Sequence, residues 1–116
     1  MSKCLDRNKE FLNRIKHSSE QERNELIKNA SADQIRVLTE IAVNILSGKF
    51  PLKKHHIKKL SNHKHIIRKL AKITVSHKRK KALLNQSGGF LPFLVTPVLA
   101  ALGSVAGKFI GNQLGL

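Results

Sequence analysis

The chain has 116 residues, with 22 Lys and Arg against 7 Asp and Glu, a formal net charge of +15. One cysteine, Cys4, excludes an internal disulfide framework, and the length leaves room for one domain and a tail rather than a large core. So basic a balance points to a polyanionic partner, nucleic acid first and an anionic membrane surface second, with a solvated basic face as the plain alternative.

Charge divides the chain into three zones. Residues 1–48 hold eight basic and seven acidic side chains, a net of +1. Their opening, "MSKCLDRNKEFLNRIK", is polar and charged throughout, so no secretory signal is expected. Phe11, Leu12 and Ile15 mark the apolar face of a first helix. Ser19 and Glu22 have capping-box spacing ahead of a second, which Leu26 and Ile27 would bury, and Ser31 with Gln34 repeats that spacing. From there Ile35, Leu38, Ile41, Ala42, Ile45 and Leu46 keep helical period to a C-cap at Gly48, ahead of Pro51, which predicts a helix over 32–47. Residues 1–48 thus read as a small N-terminal helical bundle.

Residues 49–85 form a basic helical segment. Thirteen cations lie within 49–81, with no acid among them. Leu52, Ile57, Leu60, Ile66, Ile67, Leu70 and Ile73 thread a sparse apolar stripe through them. Asn62 is placed to cap a helix running to Thr74, and Ser76 another running to Asn85. Such a stripe folds best against the first zone or on the polyanion itself, and mutual repulsion predicts loose order until a ligand neutralises it. His55, His56, His63, His65 and His77 share this zone. With no carboxylate nearby and lysines all around, zinc is not expected, and the histidines read as phosphate contacts or as extra charge in mildly acidic surroundings. No phosphate loop, paired carboxylates or nucleophile–base arrangement suggests an enzyme or a cofactor.

The residues expected to neutralise phosphates of double-stranded DNA are Lys53, Lys54, Lys58, Lys59, Lys64, Arg68, Lys69, Lys72, Lys78, Arg79, Lys80 and Lys81. Phe50 is the one aromatic residue in the zone and amide side chains are few, so backbone binding without sharp sequence preference is the expectation. "HKRKK" (77–81) also fits a nuclear import signal, as any basic cluster does.

Residues 86–89 read as a flexible, extended linker, and 90–116 as an apolar tail whose only charged residue is Lys108. A helix is expected from near Thr96. Gly103, Gly107, Gly111 and Gly115 then recur every fourth residue as a ridge suited to close helix packing in a membrane or between copies of the chain. The soluble alternative is a hydrophobic hairpin packed on the N-terminal helices. The whole reads as all-α, ending in a Gly-rich hydrophobic helix.

Two resemblances arise here. "SGGFLPFLVTPVLAALGSVAGKFIG" (87–111) resembles the C-terminal part of the adenovirus core protein X precursor, where a basic, DNA-condensing segment also precedes Gly-Gly, an apolar residue, Leu-Pro and a hydrophobic tail. "GKFPLKKHHIKKLSNHKHIIRKLAKITVSHKRKKALLNQSGGFL" (48–91) is similar to a small protein of Polinton/Maverick elements and adintoviruses. Together they cover residues 11 to 112. The helical N-terminal zone has no counterpart of this form in the adenovirus protein. The resemblance implies a virion core protein, located in the virion and the host nucleus, that condenses double-stranded DNA. It also implies an adenovirus-type cysteine protease as a partner, cutting between Gly89 and Phe90 after Gly88-Gly89. The adenovirus pattern more often has Met, Ile or Leu where Gln86 stands; an uncut linker is the alternative. A membrane met through residues 90–116 and a second copy of the chain complete the expected partners. The competing functions are a membrane-lytic protein and a helix-turn-helix regulator built on residues 52–74.

Overall fold

Every regular element is helical in the computed structural model, which describes residues 3–49 and 52–100. In chain order these are α1 (Lys3–Arg7), α2 (Lys9–His17), α3 (Glu20–Lys28), α4 (Ala32–Leu46), α5 (Lys54–Ser61), α6 (Lys64–Ala71) and α7 (His77–Ser87). A 3-10 turn (Gly88–Phe90) then leads into α8 (Leu91–Ala100). The expected all-α class holds among the described residues. The ridge of Gly103, Gly107, Gly111 and Gly115 lies outside them.

Helix α4 is set by its ends. Ser31 Oγ accepts the Gln34 N–H at 3.1 Å and Gln34 Oε1 accepts the Ser31 N–H at 2.9 Å, a complete capping box. At the other end Gly48 adopts φ +71, the left-handed conformation that favours glycine, and its N–H reaches the Ile45 carbonyl. Between these ends Ile35, Val37, Leu38, Ile41 and Ala42 are buried. The start of α4 also fastens the N-terminus. Asp33 pairs with Arg7 at 2.9 Å, and its other oxygen accepts from Asn8 Nδ2 at 3.0 Å. Asn8 occupies the elbow between α1 and α2 and donates to the Cys4 carbonyl as well, so this buried amide is satisfied.

The basic segment folds against the first zone. Helix α6 packs along α4 through Ile66, Ile67 and Leu70, and α7 packs on α3 and α4. Three apolar anchors on α6 dock its stripe while its charged side chains are exposed. The helix caps differ in detail. Ser76 Oγ accepts the Arg79 N–H at 3.2 Å as expected, whereas α6 begins after His63 with no side-chain cap and stops at Ala71.

The larger departures lie downstream. Asn85, Gln86 and Ser87 complete α7, and Gly88-Gly89 belong to the 3-10 turn, so residues 86–89 are folded backbone rather than an extended linker. Leu84 before this stretch and Phe90 after it are both buried, so both of its ends are held in the core. Helix α8 begins at Leu91 instead of near Thr96. Pro92 sits in its first turn, where a missing N–H costs nothing. Phe90, Leu91, Leu94, Val95 and Val98 have no exposed surface and join the same core as Ile15, Leu38 and Leu70. At ~1.5–3 kcal/mol each these five contribute on the order of 10 kcal/mol of gross apolar burial, comparable to the net stability of a whole domain. Residues 90–100 are thus part of the bundle, with Leu91–Ala100 as a single helix.

Candidate nucleic-acid interface

On α6 the side chains divide cleanly at 100° per residue. Ile66, Ile67 and Leu70 are buried, whereas Lys64, His65, Arg68 and Lys69 are exposed and continue into exposed Lys72. The outward arc is cationic along its length, with no acid and no amide. Helix α5 repeats the design, with Lys54, His55, Lys58 and Lys59 exposed and Leu60 buried.

The repetition is visible in the sequence once the helices are known. KHHIKKLS (54–61) and KHIIRKLA (64–71) align without gaps ten residues apart, sharing Lys, His, Ile, Lys and Leu, with Lys58 opposite Arg68. Sequence reasoning saw one cationic zone here and missed two copies of one helix. The signal that reveals them is the ten-residue offset, not the charge.

Of the twelve cations expected at the interface, ten are exposed: Lys53, Lys54, Lys58, Lys59, Lys64, Arg68, Lys69, Lys72, Lys78 and Arg79. Lys81 is half-buried, its Nζ donating to the Lys28 carbonyl at 3.3 Å. Lys80 is a correction. It is 1% exposed, and its Nζ donates to Thr39 Oγ1 at 2.7 Å. On α7, Lys80 stands one helical turn before Leu84 and shares its inward face, so it packs with the core. Desolvation pushes its amine below the ordinary lysine value. Lys80 therefore offers no surface charge to a polyanion.

Among the described residues the ion pairs join Asp33 to Arg7 and to Arg36, and none of the exposed cations of 53–79 is paired. The seven acids sit elsewhere, on α1 to α4. A groove of about 870 Å³ opens among α1–α4, with Phe11 and Leu26 inside and side chains of both signs, including Arg14, Glu22 and Glu25, around it. It includes none of the interface cations.

The histidines do different work from one another. His55 and His65 are exposed on the cationic arcs. His56 turns its Nδ1 inward, and burial, then the charges of His55, Lys53 and Lys59, push its imidazole below the ordinary value. His63 stacks on Phe90, centroids 5.4 Å apart and planes 23° apart, and Lys59 Nζ stands 4.5 Å above the Phe93 ring. The α5–α6 corner thus covers the start of the apolar C-terminal stretch. No group of three or more His, Cys, Asp or Glu suited to a metal ion occurs among the described residues.

At the Gly88-Gly89 site Gly89 is exposed and Phe90 is buried. A Cβ at Gly89 would meet nothing within 4 Å, and its φ is not in the left-handed region. The fold does not need a glycine there. No single helix among the described residues is long and apolar enough to cross a membrane. Helices α7 and α8 reach that length only together, across a 105° bend.

Comparison of the chain with family models, curated proteins and solved structures gives no match.

Proposed function

We propose that this chain is a non-enzymatic, DNA-condensing virion core protein of a virus or virus-like mobile element, binding double-stranded DNA through the phosphate backbone. The observation that carries the DNA reading is the pair of outward arcs on α5 and α6, on which Lys54, Lys58, Lys59, Lys64, Arg68 and Lys69 are exposed and free of carboxylate partners. Unpaired surface cations at this density gain most from a polyanion, because each phosphate contact releases a condensed counterion. The arcs carry no Asn or Gln, which fits binding with little base reading. The virion context rests on the resemblance to the Polinton/Maverick, adintovirus and adenovirus proteins.

Cleavage after Gly89 by an adenovirus-type cysteine protease belongs to the same proposal. Its support is that Gly89 has open space around it and ordinary backbone, so the fold gives no reason for a residue that costs a helical turn ~1 kcal/mol relative to Ala. A protease reads an extended chain, whereas Gln86-Ser87 are helical and Phe90 is in the core. Cutting would therefore follow a local opening of the α7–α8 corner.

The test is affinity for a 30-base-pair duplex at fixed salt, comparing the intact chain with Lys64→Ala/Arg68→Ala/Lys69→Ala and with Lys80→Met. The triple variant should lose at least tenfold and Lys80→Met less than twofold. Equal loss in both, or loss in neither, would sink the assignment.

A further inference from the structure

We infer that α5 and α6 are two separate phosphate-backbone sites, so that one chain holds two DNA segments together. The inference rests on the DNA reading above and adds how condensation would be achieved.

Three observations lead there. The two helices are copies, and the same positions of each face water: Lys54 matches Lys64, His55 matches His65, Lys58 matches Arg68 and Lys59 matches Lys69. Each copy buries the same leucine, Leu60 or Leu70, so each presents its cations from an equivalent helical register. A helix of eight residues is ~12 Å long, enough to meet two or three phosphates along one strand.

The copies are also anchored differently. Ile66, Ile67 and Leu70 fix α6 along α4, whereas α5 makes no extensive packing contact with any of α1–α4, α6 or α7. Two antiparallel helices packed side by side would lie ~8–10 Å apart and touch along their length, and α5 and α6 do not. They are joined by the two-residue turn at Asn62 and His63. Ile57, the counterpart of buried Ile67, is 50% exposed, so α5 is held through Leu60 and through Lys59 over the Phe93 ring and not along its length. Two like-charged arcs on helices that do not pack on each other repel, and a separate phosphate backbone on each relieves that repulsion.

The experiment uses the full chain, one duplex fixed to beads and a second, fluorescent duplex in solution. Protein is held at a concentration that saturates the bead-bound duplex for every variant. Three charge-matched triples are compared: Lys54→Gln/Lys58→Gln/Lys59→Gln, Lys64→Gln/Arg68→Gln/Lys69→Gln, and, as the control, Lys9→Gln/Lys28→Gln/Lys49→Gln, three exposed cations outside the candidate interface. All replace exposed side chains, and each variant's unfolding transition is checked against that of the unaltered chain. The unaltered chain and the control should capture the second duplex, and each helix triple should still bind the first but capture the second at least tenfold less. If capture falls equally in all three, condensation follows total charge and the two-site inference fails. Survival of capture in both helix triples, as when two associated chains each hold one duplex, overturns it as well. No binding to the first duplex by the unaltered chain would instead defeat the DNA reading itself.

Discussion

The ammonium nitrogen of Lys80 lies 2.7 Å from the hydroxyl of Thr39, inside the core and without a carboxylate in contact. Thr39 in turn donates to the Ile35 carbonyl of its own helix, so the one partner of this buried amine is a neutral hydroxyl. A hydroxyl compensates an ammonium poorly, which is why desolvation lowers the Lys80 value.

Lys80→Met should therefore stabilise the fold, by roughly 1–3 kcal/mol at neutral pH, since Met fills similar volume without a desolvation cost. The pH dependence has a definite sign. The folded value lies below the unfolded one, so between the two the unfolded chain binds more protons and stability rises with pH. Above the ordinary lysine value the penalty is gone. Thermal unfolding from pH 7 to pH 11 should show this rise in the unaltered chain and lose it in Lys80→Met.

The apolar stretch from Phe90 to Val98 should behave as core. Leu94→Ala is expected to cost about 2–4 kcal/mol in urea unfolding, the range for a fully buried leucine. A chain ending at Gly89 should unfold far more readily than the full chain. A free membrane-active tail would leave both measurements unchanged.

Gly89→Ala should separate stability from processing. The added methyl meets no neighbour, so stability should hold or rise by about 0.4–1 kcal/mol through the unfolded chain. Cutting between residues 89 and 90 by an adenovirus-type cysteine protease should stop. Leu94→Ala, by loosening the corner, should speed cutting of the unaltered Gly-Gly site. Equal rates in folded and loosened chains would show that no opening is required.

Asp33 gives the acid limb. The hydrogen bond from Arg7, then that from Asn8, holds its carboxyl below the usual carboxylate value. Its contribution is present above the unfolded carboxylate value and is lost as pH falls through the folded one. Asp33→Asn should be less stable at pH 7, and the difference should shrink toward pH 2 in thermal unfolding.

The sequence was most legible where local chemistry decides structure. Ser31 with Gln34, the period from Ile35 to Leu46 and Gly48 fixed α4 to within a residue. The cationic zone was also legible, because thirteen charges without an acid need no fold to be noticed. What stayed hidden depends on tertiary packing. Lys80 reads as one more cation until Leu84, one turn later, shows which face of α7 is inward. Asn85-Gln86-Ser87-Gly88-Gly89 has linker composition and is folded between Leu84 and Phe90, both buried. The apolar stretch after Gly89 has the composition of a membrane segment, and the bundle uses it because α6 and α7 supply too few large side chains to close the core alone.

The central claim, that the exposed arcs of α5 and α6 bind DNA through phosphates, is tested most directly by a salt series on the full chain with two unrelated duplex sequences. If half of the exposed cations meet phosphates, log K should fall against log salt with a slope of roughly −5, the same for both sequences. A slope near −1, or tight binding to one sequence that persists at high salt, would overturn the backbone reading.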